Sequence, residues 1–237
     1  MQTTAALYDT ILADPTHYFE TRLLVQRSSQ WSQYVNQDKI FSIETSIEMF
    51  HGSPTIGSAV AGEITVKMIK PNWDIPVMGR ITPEVRVCNA NQQSQWITQG
   101  IYFIDTRQTS KNMDNLDILE IHGYDAMLKA EQPWHSNSIT GDSTDRQMVD
   151  SIASIMGVSV DARTYGQMGK YYTIPLPVGY TCREILGYIA SMYCGCFIIT
   201  DTGKLRLVSM LELPYETSYL VTNNGDRITF GGDRILC

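Results

Sequence analysis

Basic runs are missing from this 237-residue chain: its 18 lysines and arginines are scattered and are outnumbered by 25 aspartates and glutamates, for a formal net charge of −7. Neutralising nucleic-acid phosphates takes clustered cations, so a sequence-specific DNA-binding surface is disfavoured. The five cysteines are odd in number and irregular in spacing. They frame no disulfide scaffold and read as thiols kept reduced. No window approaches the roughly 20 consecutive apolar residues of a membrane-spanning helix. The N-terminus, Met1-Gln2-Thr3-Thr4-Ala5-Ala6-Leu7, lacks the basic start and apolar core of a secretory leader, which points to maturation in the cytoplasm.

Catalytic signatures are equally scarce. A nucleophile elbow needs Gly-x-Ser-x-Gly, and the nearest pieces, Gly52-Ser53-Pro54 and Gly57-Ser58-Ala59, have the wrong spacing. Neither glycine-rich phosphate motif occurs. Cys182 is the best-placed thiol, because a helix start lowers thiol pKa, but no neighbour nominates its base and a first-turn packing role is the simpler reading. Cys194-Gly195-Cys196 suggests a metal pair, yet about four ligands are required and His17, His51, His122 and His135 all lie far away in sequence. His122-Gly123-Tyr124-Asp125 is no zinc motif, and Asp125 reads as a cap or turn residue. Paired carboxylates meet only in a fold, and no pair stands out along the chain. The expectation is therefore no catalytic, cofactor or metal site, and no enzyme.

What is present is 43% hydrophobic and 10% aromatic content, enough for a sizeable core in one large or two small domains. Residues 5–13 have an amphipathic pattern closed by Asp14-Pro15, predicting a short lead-in helix. From Thr21 the period falls to two. Strands are predicted at Leu23–Val25, Ile40–Met49, Glu63–Ile69, Arg80–Val87, Gln95–Thr106 and Leu116–Tyr124, with Ser53–Gly62 as a glycine-containing connector. Six strands at short spacing make an antiparallel barrel or sandwich. Two capping boxes, Thr144-x-x-Gln147 and Thr181-x-x-Glu184, then open helices running to Gly157 and Gly195. Extended pieces are expected between them, at Val158–Asp161 and Tyr171–Val178. Strands return as a hairpin over Cys196–Val208, at Tyr219–Thr222 and at Arg227–Phe230. Four short strands enclose too little area to stand alone, so completion by later residues or a neighbouring subunit is expected. Trp31, Trp73, Trp96 and Trp134 fall in or beside turns and are the aromatics best placed to reach a partner.

The order of four segments carries a resemblance: Ile56–Gly62, Trp96–Asp105, Leu116–Lys129 and Tyr180–Ala190. In this order the chain, from about Leu23 to Leu207, resembles the N-terminal hub region of the phage tail-tip (baseplate hub and tail-associated lysin) proteins. That resemblance implies a mainly β (α+β) fold with domains at 21–130 (a first β-barrel), 131–195 (an insertion with two helices) and 196–237 (the start of a second barrel), after a lead-in at 1–20. It also implies a structural virion protein at the tail tip, assembled in the bacterial host cytoplasm as a homotrimer ring. Its implied partners are the distal tail protein, the tape-measure protein and receptor-binding tip proteins, with DNA passing only transiently through the lumen. Cell-wall hydrolysis in such proteins belongs to later domains. A hydrolase or peptidase component and a carbohydrate-binding receptor module are the alternatives.

Overall fold

The computed structural model describes residues 6–28, 30–48, 56–111, 116–135, 139–169 and 172–210, and the backbone of two short paired strands at Thr229–Phe230 and Asp233–Arg234. The expected strand Tyr219–Thr222 and the turn after it lie outside the described residues. The fold is mainly antiparallel β with small helices, as the sequence predicts.

Helix α1 (Ala6–Leu12) buries Ile11 and ends where Asp14 accepts from the Thr16 backbone and from Asn89, which ties it to the end of the sheet. The large sheet then forms from β1 (Tyr18–Gln26), β2 (Ser32–Asn36), β3 (Ile40–Ser46), β5 (Glu63–Ile69), β6 (Arg80–Cys88), β7 (Ile97–Thr98), β8 (Tyr102–Lys111) and β9 (Asp117–Asp125). The order is β2-β1-β6-β8-β9-β5-β3, with β7 on β6, and every pair is antiparallel. Period-two alternation places Leu23, Val25, Ile64, Val66, Met68, Ile81, Ile104 and Ile121 on one face. Val35 of β2 and Ile40 and Ile43 of β3, at opposite ends of the strand order, pack into that same core. The sheet is therefore curled on itself, helped by bulges at Ile104/Thr106 and Ile40/Ser42 that bend a strand and add twist. A 3₁₀ turn, Gln37–Lys39, carries β2 into β3 at the rim. Among the described residues no hydrogen-bonded pairing joins β2 to β3.

Three local differences from the sequence reading have physical reasons. The strand expected over Gln95–Thr106 is split into β7 and β8, because Gly100 sits at φ +126 and turns the chain off β6 before β8 returns. The connector Ser53–Gly62 holds a strand, β4 (Ser58–Ala59), that leaves the large sheet and pairs in parallel with β12 (Gly195–Ile199). The strand β2 went unread because Ser32-Gln33-Tyr34-Val35-Asn36 buries only Val35 and shows no alternation of hydrophobic residues.

The second body comprises α2 (Asp145–Met156), α3 (Ala162–Gln167), α4 (Cys182–Met192), the hairpin of β12 with β13 (Leu205–Ser209), β4, and a small ladder of β10 (Ser143–Thr144) with β11 (Thr173–Ile174). The pair β14 (Thr229–Phe230) and β15 (Asp233–Arg234) closes the element order. Both capping boxes form, Thr144 with Gln147 and Thr181 with Glu184. Met148, Val149, Ile152 and Met156 of α2 share one core with Ile185, Leu186 and Ile189 of α4 and with Phe197, Ile199, Leu205 and Leu207 of the hairpin. The hairpin that opens the expected second barrel thus packs directly on the helices. α3 was not foreseen in Val158–Tyr171. It is six residues long, capped by Asp161, and its buried Thr164 hydroxyl accepts from the Leu207 backbone N–H at 3.1 Å.

Candidate functional site

Two of the chain's crossings between the bodies, at β4→β5 and at β9→Ala126, are held by one carboxylate. Asp125 is 4% exposed. Its Oδ2 accepts from the Gly62 N–H at 2.7 Å, its Oδ1 from the Met127 N–H at 2.8 Å, and its own N–H donates to the Gly62 carbonyl at 2.9 Å. Asp125 caps the 3₁₀ helix Ala126–Glu131, the role its sequence context suggested. Burial pushes its pKa up to about 6 against the pull of those two N–H donors and of Arg183. On the same side, β4 lies on α4 through an interlock of small residues. A Cβ on Gly57 would stand 1.7 Å from Ser191 Oγ, and one on Gly187 would stand 3.0 Å from the Gly57 carbonyl. A cleft of about 730 Å³ opens beside this joint, lined by Ala59, Ala61, Tyr124, Leu128, Glu131 and Arg183, where Arg183 pairs with Glu131 at 2.6 Å.

The sequence-nominated nucleophile does not lie in a reactive setting. Cys182 is fully buried at the first position of α4, and burial pushes its thiol up to about 11, outweighing the helix start. Cys196 is buried with its pKa raised for the same reason, while Cys194 takes a left-handed φ of +49 in the turn after α4. His122 lies 3.8 Å from Glu63 and edge-on to Tyr124. Among the described residues no three of His, Cys, Asp and Glu gather as a metal would need.

The four tryptophans separate into distinct settings. Trp73 packs on the core of the curled sheet and Trp134 on that of the helical body. Trp96 is held on the outer face of the sheet between Arg22, 4.1 Å from its ring, and Arg86, at 4.5 Å. Arg22 also lies 3.9 Å from the Tyr34 ring and pairs with Glu84 at 2.6 Å, while Arg86 pairs with Glu20 at 2.5 Å. Trp31, by contrast, is 72% exposed just before the edge strand β2. Strand β8 is exposed from Asp105 onward, while its partner β9 stays between β8 and β5 with Leu119 and Ile121 in the core. Among the described residues the sheet thus leaves the outer edges of β2 and β3 without a paired strand and one indole, Trp31, exposed.

No family model matches the sequence, and no curated protein matches it. Solved structures do resemble the fold. The 43 kDa tail protein of prophage MuSo2 from Shewanella oneidensis superposes with a TM-score of 0.55 at 13% identity, covering 87% of this chain and 58% of that one. A tail protein from Neisseria meningitidis gives a TM-score of 0.48 at 13% identity, over 80% of this chain and 51% of that chain. A prophage tail protein from Listeria monocytogenes gives 0.44 at 10% identity, over 88% and 64%. The chain thus shares its fold with the Shewanella prophage tail protein and spans a little over half of that protein's length.

Proposed function

We propose that this chain is a structural component of a phage-type tail, the hub at its tip that joins the tail tube to the parts that meet the host. The observation that carries the reading is the fold shared with a prophage tail protein across 87% of the chain. Among the described residues no strand pairs with the outer edges of β2 and β3, which supports it, since an unpaired strand edge is either protected or paired with another chain. In this reading the protein sits in the virion after assembly in the host cytoplasm. Three copies close a ring, and the distal tail and tape-measure proteins and the tip proteins bind its rim. An overall charge of −7 lets DNA slide through the lumen without sticking. The role is structural rather than enzymatic, which the buried, raised Cys182 thiol supports by removing the nominated nucleophile.

Light scattering on the purified chain, with negative-stain images, tests this. A particle of three times 26.7 kDa with a central hole is the expected outcome. A monomer that fails to associate with tail components speaks against the reading. Peptidoglycan turnover that disappears in Cys182→Ala would move the assignment to the hydrolase class.

A further inference from the structure

A second groove of about 460 Å³ lies between the β1–β2 turn, the start of β8, and the end of α2. Its charges differ from those of the molecule as a whole. Arg80 and Lys129 both line it, and no carboxylate does. Neither cation forms an ion pair among the described residues. Lys129 is half-buried, and its Nζ rests 4.3 Å from the centre of the Phe103 ring. A cation–π contact recovers only part of what an ammonium loses on leaving water, so an anion arriving here meets a cation that has already lost part of its hydration. Arg80 is exposed, and its backbone is fixed by a bond from its N–H to Gln26 Oε1 at 2.9 Å.

The same groove is bordered by Trp31. The carbonyl of Trp31 accepts from the N–H groups of Arg27 at 2.8 Å and Ser28 at 3.1 Å, so the indole projects from a closed turn. Immediately after it runs β2, an edge strand exposed at every position except Val35. The groove is therefore continuous with a row of backbone donors and acceptors that no described strand satisfies. Backbone pairing along an edge is recognition by another polypeptide, and it distinguishes a protein ligand from a sugar, which would use the indole and the cations but not the edge.

We propose that the β2 edge and the Trp31–Arg80–Lys129 groove together dock an extended acidic segment of a partner protein. The segment adds a strand to β2, lays an apolar side chain on Trp31 and places carboxylates against Arg80 and Lys129. Tryptophan and arginine are the residue types that most often anchor protein interfaces, and here they flank one concave site. This inference rests on the tail-assembly reading and names the kind of partner it requires.

The test uses a capped octapeptide of alternating glutamate and valine, titrated into the whole protein and followed by calorimetry at low salt. Binding is expected in the micromolar to millimolar range, weakening as salt rises, with about tenfold loss for each of Arg80→Gln and Lys129→Gln. Trp31→Ala should weaken it similarly while leaving the thermal melt of the protein unchanged, since an exposed indole contributes little to folding. The corresponding lysine–valine peptide should not bind. Equal affinity in the wild type and the Arg80→Gln and Lys129→Gln variants overturns the proposal. So does binding of a galacturonate trisaccharide that competes with the peptide, which would assign the groove to acidic sugars. A ring-forming protein that ignores the peptide sinks this inference alone. A persistent monomer that binds it sinks the hub reading and leaves the groove standing.

Discussion

Strand edges are treated oppositely in the two bodies of this molecule. In the helical body the outer edge of β13 is covered: Leu205 exchanges backbone bonds with Ser159 and Asp161, and Leu207 donates to the Thr164 hydroxyl. In the curled sheet the outer edges of β2 and β3 carry no described strand, and β8 is exposed from Asp105 onward. Both bodies bury a continuous core, so the contrast is not one of stability against its lack. It lies in which body is finished at its borders. The helical body has its hairpin edge satisfied internally, whereas among the described residues the sheet keeps unpaired backbone groups along β2 and β3.

The hardest test of this division is to damage one core and watch the other. Phe197 is fully buried, and Phe197→Ala should cost about 3–5 kcal/mol. Hydrogen exchange should then lose protection in α2, α4, β12 and β13 while β1, β5 and β9 keep theirs. Loss of protection in both bodies together would mean that they form one cooperative unit and that the comparison describes shape only.

The joint comes next in size. Gly57→Ala forces a methyl toward Ser191 Oγ at a backbone φ of +87, where any side chain is strained. Chemical denaturation should show a loss of about 1–3 kcal/mol. Ser191→Ala should return part of it, because the nearest clash, with the serine hydroxyl, is removed while the contacts with Ser191 Cβ and the Gly187 carbonyl and the backbone strain remain. An additive double variant would show that the interlock is not where β4 docks.

Asp125 sharpens the comparison through pH. A carboxyl whose folded pKa, about 6, lies above its unfolded value stabilises the fold while protonated; that contribution is full below about pH 4 and is lost as pH rises through 6. Asp161 in the helical body has the opposite sign. The hydrogen bond from Arg163 holds its pKa well below the usual carboxylate range, so its contribution is present above about pH 4 and lost on acidification. Asp125→Asn should therefore flatten the decline in stability between pH 4 and 6, by about 2 kcal/mol, in urea midpoints measured across that range. An unchanged slope would remove the joint from the list of titrating elements.

Much of this architecture was legible from side-chain periodicity and caps. Glu63–Ile69 alternates cleanly and is the strand predicted, and both capping boxes mark their helices because the residues involved are local in sequence. Unread were the elements whose order depends on distant partners. The parallel pairing of Ser58 with Cys196 spans more than a hundred residues and is set by a glycine interlock that no local pattern encodes. Of the four tryptophans set apart for their turn-rich surroundings, three are held against cores or between arginines, and only Trp31 is free. Turn propensity reports on backbone conformation and says nothing of what packs over a turn. Asp125 was readable as a cap from its sequence context, but its second bond, to Gly62, was not.

The smallest expected effect falls on the outer face of the sheet. Glu20→Gln weakens the ion pair with Arg86, whose guanidinium stays 4.5 Å from the Trp96 ring, and both partners are partly exposed. Exposed pairs of this kind contribute about 0–1 kcal/mol, so the denaturation midpoint should barely move. The arginines also hold the Trp96 ring in place between them. If Glu20→Gln leaves stability intact yet reduces association with tail components, the stack belongs to a contact surface. If instead it costs as much as Gly57→Ala, the outer face of the sheet is a structural element like the joint, and the contrast between a finished body and an unfinished one narrows to the strand edges alone.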